Sequence, residues 1–567
     1  MVEQFCTSIL QLNFPRIKSL ANLVMGLASQ TNAKSVVETS ESSCNHYQFS
    51  SINKAIASIF DEGARAVEFV MAAKAAAAKE IKIEKVAAAK IAAARAAKTA
   101  KAVLAKGGAT KAAKAAKVVA AEKAATAAAA SEAEVVEATA MEAKAVEAAY
   151  RSSRQKVEQE FLGLKKDYLP VRQDIFWLIS TDISSLFRPH SPTLPNKRYV
   201  YKPNNQIKKN KPVGVGYEFS CVGQVVRNGL YGMREAAWNL PLSMKLVPSD
   251  VNKNTFTAGQ VNDLMNNTAL PFHNELTVNT LDSNYSRPEY IATTYSQPNL
   301  ISIIRMASNI NMWKKLSVDD KLERKESNND TRGANNVYGA KYKLSNQADW
   351  TQVSDAATEF GVKIGNKRYI VQVQVWEDMM LRSKRGLSMK DKSCRLMRIV
   401  LLDKDGKAVF KKAMWLSVWG LRNKELSLEQ IFWAYRLRFD IEHFFRFGKQ
   451  KLLLDKFETP IEGNIENWLE VVSLAYWMLW VAQKDSKHEC HKWQKYDKNH
   501  KKRVDHGLMP TPSEVQKGLA AIILRFEQAP FLPKPRNKGN GRKEGMKLSK
   551  RAKYPIIIKG KTTKCIK

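Results

Sequence analysis

Three acidic residues stand at places where a carboxylate is costly for a folded chain. Asp182 lies near the end of the hydrophobic run DIFWLISTDIS, Asp282 ends the run ELTVNTLD, and Glu442 interrupts the aromatic stretch YRLRFDIEHFFRFGK. A lone acid in such a run is expensive to bury unless it is paired or bound to a metal. Carboxylate oxygens suit Mg²⁺, and two such ions held together can activate an attacking oxygen and stabilise a leaving oxygen. The three acids are therefore candidates for metal-assisted phosphoryl transfer.

A stripe of polar side chains accompanies Glu442. Tyr435, Arg438, Glu442 and Lys449 follow one another at spacings that, on a helix, place them within about 60° of one another. Phe and Ile residues occupy most other directions, so the spacing predicts one helix that is buried on most sides and turns its polar stripe toward a ligand. Salt bridges on a solvated face are the ordinary alternative. Asp440 is the rival acid of this segment, but it points about 200° away from Glu442 and outside the stripe.

The elements predicted around these acids follow an α/β order. Five strand patterns occur at 174–184, 217–226, 240–248, 275–282 and 299–307, with a helix at 256–265 after the third strand and a short helix from Arg287 after the fourth. This order of elements, three strands followed by helix, strand, helix and strand, predicts a mixed sheet. It is also the order of the ribonuclease-H-like fold. A basic, β-rich stretch with period-two alternation precedes the Glu442 segment.

Charge indicates the kind of partner. The 567 residues include 91 Lys and Arg against 55 Asp and Glu, a formal net charge of +36. Such an imbalance points to a polyanion, most often nucleic acid, with an anionic membrane as the competing partner. No segment supports membrane insertion, because the longest apolar stretch, from Trp468 to Ala482, is shorter than the ~20 residues needed to span a bilayer and contains Glu470. It predicts a core helix.

The polar stripe carries a family resemblance. Tyr435, Arg438, Glu442 and Lys449 match the Y-R-E-K signature of bacterial insertion-sequence DDE transposases of the family named after insertion sequence four. The segment ISTDISSLFRP resembles that family's first-Asp segment, and VNTLDSNYSRPEYI resembles its second. The interval before Glu442 is long enough for the β-strand insertion domain of the family. The resemblance covers about 174–482 and implies a ribonuclease-H-like catalytic core.

The resemblance also implies roles for individual residues. The three acids would be catalytic and would hold two Mg²⁺ or Mn²⁺ ions in each active site, while the three other signature residues would contact the backbone of the DNA ends. Arg446 lies near the same face and is a further DNA-binding candidate. Lys211, in a basic loop, is another, although a solvated loop explains it equally well. Trp415 and Trp419 are candidates for the aromatic residue that stabilises a flipped base in relatives, although tryptophan in a β-hairpin is more often core.

Six regions are predicted along the chain. They are a helical region at 1–63, a candidate for binding DNA ends; an Ala/Lys-rich insert at 64–150; the first part of the core at 151–312; a β-rich insertion domain at 313–426; the second part of the core at 427–485; and a basic C-terminal region at 486–567. Ala and Lys favour helix, but the insert has few large apolar side chains to bury. We expect a mobile helical hairpin or a partly disordered segment there.

The function predicted from these features is DNA transposition. Activated water would nick double-stranded DNA at the terminal inverted repeats of an insertion sequence, and the released 3′-hydroxyl would attack target DNA without a covalent enzyme intermediate. The resemblance implies a homodimer on two DNA ends in the bacterial cytoplasm, associated with the nucleoid, and no membrane partner. A host nuclease of the same fold, a decayed transposase and a non-enzymatic basic DNA-coating protein are the alternatives.

Overall fold

The computed structural model describes most of the chain outside the Ala/Lys-rich insert. The described residues are 1–30, 32–40, 45–59, 94, 98, 154–172, 174–188, 192–201, 213–226, 236–326, 337–350, 354–364, 367–485, 508–526, 545 and 553–558. The chain divides into two compact units, one formed by Met1–Ala57 with Phe161–Lys567 and the other by Ser58–Glu160. The helical hairpin predicted for the insert lies outside the described residues.

Twelve strands in the described part of the larger unit form one mixed sheet. They are β1 (Trp177–Phe187), β2 (Arg198–Tyr201), β3 (Val213–Val226), β4 (Trp238–Leu246), β5 (Thr277–Leu281), β6 (Leu300–Met306), β7 (Asn311–Lys315), β8 (Tyr338–Lys343), β9 (Ala356–Ile364), β10 (Lys367–Met380), β11 (Cys394–Leu402) and β12 (Met414–Trp419). Their order is β2-β3-β1-β5-β6-β12-β11-β10-β7-β8, with β4 paired to β3 and β9 paired to β10.

The centre of the sheet contains its parallel strands. β5 pairs in parallel with β1 on one side and with β6 on the other, while β3 runs antiparallel to β1 and β4 antiparallel to β3. The parallel pairs need crossover connections, which include helix α5 (Lys253–Met265) before β5 and helix α6 (Pro288–Thr294) after it. This arrangement is the predicted mixed α/β sheet and is consistent with a ribonuclease-H-like domain.

The β-rich stretch after β6 extends the same sheet. β12 pairs antiparallel with β6, and β11 pairs with both β12 and β10. Val371, Val373 and Val375 point from β10 into a core that also contains residues of β11 and β12, as their alternation in the sequence predicts. Gly406 lies in the reversal between β11 and β12 with a φ of 73°, a backbone conformation that glycine adopts without a Cβ clash.

Helices pack around this sheet. They are α1 (Val2–Leu10), α2 (Ile17–Ser29), α3 (Val36–Thr39), α4 (Phe49–Ala57), α5 and α6, α7 (Val318–Glu326), α8 (Gln347–Trp350), α9 (Leu428–Leu437), α10 (Asp440–Lys451), α11 (Glu462–Ala482) and α12 (Pro512–Phe526). α11 is buried along almost its whole length between β4 and the N-terminal helices, which confirms the predicted core helix. The described residues contain no helix that is both long and apolar enough to cross a membrane.

Hydrogen bonds fasten α11 to both neighbours. The indole N–H of Trp477 donates to the carbonyl of Pro241 in β4 at 2.8 Å, and the amide of Asn467 donates to the carbonyl of Ile56 in α4, also at 2.8 Å. On the same helix, the buried carboxylate of Glu470 pairs with the buried ammonium of Lys165 at 3.1 Å. Helices α2 and α4 of the N-terminal region therefore pack on the helix that supports the central strands.

Candidate active site

Asp182 and Asp282 lie side by side because of the register between two parallel strands. Thr181 of β1 is the partner of Leu281 of β5, so the next residue along each strand is one of the two aspartates. Neighbouring strands are about 4.8 Å apart, which brings both carboxyl groups to the same part of the sheet. Asp182 lies in the middle of β1 rather than near its end as expected, because β1 continues along its antiparallel partner β3.

Asp282 follows β5 and begins a short 3₁₀ helix, Ser283–Tyr285. Its Oδ1 accepts a hydrogen bond from the backbone N–H of Asn284 at 2.9 Å, and its Oδ2 accepts one from the Asn284 side chain at 2.7 Å. These bonds hold the carboxylate at the strand end. They are local in sequence, as is typical of an aspartate at a helix N-terminus.

A buried polar layer supports the two strands, and the sequence pattern alone does not reveal it. Thr181 donates its hydroxyl to Asn279 Oδ1 at 2.9 Å, and the Asn279 amide donates to the hydroxyl of Tyr290 at 2.9 Å. All three side chains are buried. The signal was present in the sequence, since polar residues precede each aspartate within a hydrophobic run, but their pairing depends on strand register.

The stretch from Tyr435 to Lys449 forms two helices, so the prediction of one continuous helix was wrong. α9 ends at Leu437, Arg438 and Phe439 form a turn, and α10 begins at Asp440. At this turn the backbone N–H of Arg438 donates to the carbonyl of Tyr435, three residues back instead of the usual four. The turn also leaves Phe439 55% exposed, where the wheel predicted a buried ring.

Arg438 links two of the three acids. Its Nη1 lies 3.3 Å from Asp182 Oδ2, and its Nη2 lies 2.8 Å from Glu442 Oε1. The guanidinium is buried, also hydrogen-bonds the Tyr435 side chain, and lies over the ring of Phe439 at 5.6 Å. The structure thus brings Asp182, Glu442, Arg438 and Tyr435 into one cluster, with Asp282 on the neighbouring strand.

Lys449 contacts β1 further along the strand. Its ammonium donates to the hydroxyl of Ser184 at 2.8 Å and to the carbonyl of Ser185 at 3.1 Å. Burial lowers the pKa of Lys449, and the charge of Asp455 opposes that shift. Burial has the opposite effect on a tyrosine, and it raises the pKa of Tyr435. Lys449 therefore faces the sheet and Tyr435 faces Arg438, whereas the prediction that the stripe turns toward a ligand stays a prediction.

Of the remaining predicted DNA-binding residues, Arg446 and Trp415 are not part of this cluster. Arg446 is exposed on α10, and Lys211 lies outside the described residues. Trp415 is 5% exposed and packs against Trp376 with ring centroids 5.5 Å apart, while Trp419 donates its indole N–H to Ser417 Oγ at 2.7 Å. Both tryptophans occupy core positions of β12 in this structure, so the base-stabilising role stays a prediction.

The electrostatics of the cluster are dominated by its acids. The pKa of Asp182 is raised to about 7. Burial is the largest cause, and the charges of Asp282 and Glu442 also raise it, whereas Arg438 and the backbone N–H of Ile183 partly oppose the shift. One arginine therefore does not compensate the negative charge that accumulates around Asp182. This is an environment that favours an additional cation.

The donor chemistry suits a hard divalent ion, but the arrangement does not present three ligands at once. Among the described residues, no group of three or more His, Cys, Asp or Glu side chains is arranged to hold a metal ion. The guanidinium of Arg438 lies between Asp182 and Glu442 and donates a hydrogen bond to one carboxylate oxygen of each. Asp182 and Asp282 suit such an ion in donor chemistry and lie on neighbouring strands, but Arg438 engages both Asp182 and Glu442.

A comparison with protein families bears on this site. A family model described as Transposase DDE domain matches residues 233–478. The match includes Asp282, Glu442 and the whole stretch from Tyr435 to Lys449, and it begins after Asp182. It supports a DDE transposase family, a class of nucleases and strand transferases that act on DNA. No curated protein matches the chain.

Proposed function

We propose that the protein is a DDE transposase of the insertion sequence four type, which cuts DNA at the terminal inverted repeats of its element and joins the 3′-hydroxyl ends to target DNA. The observation that carries the proposal is the register that aligns Asp182 with Asp282, combined with Glu442 reaching the same cluster through Arg438. The family match supports the same class of reaction.

In this proposal each residue acts on a defined part of the DNA. Asp182, Asp282 and, with the Arg438 guanidinium moved aside, Glu442 would hold two Mg²⁺ or Mn²⁺ ions. Such ions would lower the pKa of the attacking hydroxyl or water and stabilise the leaving oxygen. Lys449 lies next to Ser184 and Ser185 on β1, where an ammonium can bind a phosphate of the strand that crosses the sheet. Arg446 is exposed one turn away and extends that basic face.

The proposal includes the finer features of the family. Residues 313–426 would act as an insertion domain, 1–63 would recognise the DNA ends, and two copies of the chain would hold two ends in one complex at the nucleoid. The Y-R-E-K signature supports this family type, since Arg438 contacts both Tyr435 and Glu442. Lys449 follows Glu442 by two helical turns on α10.

Cleavage of the element's own ends tests the proposal. A plasmid that carries the coding region with its flanking DNA would be incubated with purified full-length protein and Mg²⁺. Asp182→Asn, Asp282→Asn and Glu442→Gln should each abolish nicking while DNA binding in a gel-shift assay is retained. Asp440→Asn, which removes an acid two residues from Glu442, is the matched control and should still cut.

Strand transfer distinguishes a transposase from a nuclease of the same fold. A duplex that already ends in the element's 3′-hydroxyl should become covalently joined to a target plasmid by the wild-type protein. Cutting without joining would indicate a hydrolytic nuclease. Cutting at a near wild-type rate by any one of the three acid variants, folded and pure, would overturn the proposed active site.

A further inference from the structure

The bridge formed by Arg438 has a consequence for metal binding. Its two nitrogens contact Oδ2 of Asp182 and Oε1 of Glu442, while Oδ1 of Asp182 accepts the backbone N–H of Ile183 at 2.8 Å. Each oxygen of Asp182 therefore has one partner, and the guanidinium fills the space between Asp182 and Glu442. A guanidinium and a divalent ion cannot occupy the same position between these two acids, so one must leave before the other enters.

A phosphate offers Arg438 an alternative partner. Guanidinium groups bind phosphate through two parallel, charge-assisted hydrogen bonds, as they bind carboxylates. Arg438 is itself buried in the turn between α9 and α10, but the ring of Phe439 over which it lies is exposed and the side chain of Glu442 is 37% exposed, so solvent reaches the edge of the cluster. A DNA backbone near this turn competes with Asp182 and Glu442 for the same nitrogens.

We propose that Arg438 is a latch that keeps the acid cluster closed to divalent ions until DNA draws the guanidinium away from Asp182 and Glu442. This inference rests on the proposed function and goes beyond it, because it makes metal binding depend on DNA binding. Arg438 is in this sense a positioning residue, which acts through the two acids. By linkage, a phosphate that raises the metal affinity is itself bound more tightly when metal is present.

The test measures metal binding instead of catalysis. Mn²⁺ would be titrated into metal-free, full-length protein without DNA, and unbound Mn²⁺ would be followed by electron paramagnetic resonance. Binding that is lost in Asp182→Asn defines the site. At that site Arg438→Ala should bind Mn²⁺ at least tenfold more tightly than wild type, equivalent to about 1.4 kcal/mol. Lys449→Ala removes an equal charge whose hydrogen bonds go to Ser184 and Ser185 instead of the acids, and it should change the affinity by less than about twofold.

DNA provides the second arm of the experiment. A short duplex should raise the Mn²⁺ affinity of the wild-type protein. It should leave that of Arg438→Ala almost unchanged, because this variant lacks the guanidinium that DNA would displace from the acids. If Arg438→Ala does not fold, Arg438→Lys replaces it, because an ammonium cannot bridge two carboxylates in the same forked geometry and should also bind Mn²⁺ more tightly than wild type.

The outcomes separate the latch from the proposed function. An Arg438 variant that binds Mn²⁺ at the Asp182-dependent site no more tightly than wild type, or an equal gain in Lys449→Ala, would overturn the latch alone. The absence of any Asp182-dependent Mn²⁺ binding, with and without DNA, would overturn the metal-dependent transposase as well.

Discussion

Replacing Asp182 with asparagine should change how the stability of the protein depends on pH. The pKa of the Asp182 carboxyl is raised from its ordinary value of 3.8 to about 7 in the folded protein, first by burial and then by the charge of Asp282. Between these two values the folded state holds a proton that the unfolded state has released. Stability from this group is therefore fully present below about pH 4 and is lost as the pH rises to about 7.

The size of the effect follows from the shift. Each pH unit within this window lowers the free energy of unfolding by about 1.4 kcal/mol, so the wild type should lose about 3 kcal/mol between pH 5 and pH 8 relative to Asp182→Asn. Urea unfolding in metal-free buffer measures the difference. All 12 tryptophans of the chain lie in the larger unit, so their fluorescence reports the unfolding of that unit.

A matched substitution distinguishes this carboxyl from acids in general. Asp405 is exposed in the turn between β11 and β12, and Asp405→Asn should follow the wild-type pH dependence. Asp182→Asn should diverge from both as the pH rises. Parallel curves for Asp182→Asn and the wild type would refute the reasoning, since they would mean that this carboxyl ionises in the folded protein at its ordinary pKa.

Three further predictions concern other parts of the chain. Lys165→Met should lower the free energy of unfolding in urea by about 3–5 kcal/mol, because it leaves the Glu470 carboxylate buried without its cation. The double variant Lys165→Met, Glu470→Leu should recover most of that loss, and additive losses would mean that the two side chains do not interact. Arg438→Ala and Lys449→Ala should each reduce the salt dependence of duplex binding by about one unit of slope, and unchanged slopes would mean that these cations are structural. Deleting Met71–Ala149 should weaken low-salt DNA binding but spare metal-dependent cleavage, and unfolding or loss of cutting at saturating DNA would refute the domain boundaries.

The alternation of apolar residues was enough to predict most of the central strands. β5 and β6 lie within the segments predicted for them, and β3 and β4 differ from theirs by a few residues at their ends. The short strand β2 was not predicted, because its four residues, RYVY, form a pattern too short to distinguish from a loop. The end of β1 was also misplaced, since its last residues are held by hydrogen bonds to β3.

The break between α9 and α10 shows the limit of a helical wheel. Every residue from Tyr435 to Lys449 is compatible with helix, and the polar spacing suits one continuous helix equally well. At the turn, the Arg438 guanidinium contacts Asp182, which lies 256 residues earlier in the chain and which no local pattern could identify as its partner. Lys449 similarly finds its partners on β1, more than two hundred residues away.

The sequence by itself determined which residue types are available for chemistry: three acids in hydrophobic surroundings, a polar stripe beside one of them, and an excess of positive charge suited to a polyanion. Tertiary structure alone decided how these groups meet. The register of β1 and β5 aligns Asp182 with Asp282, and the turn before α10 directs Arg438 between Asp182 and Glu442. The physical reason is that local periodicity sets which face a side chain occupies, whereas the contacts and pKa values of a site depend on burial and charges contributed by distant segments.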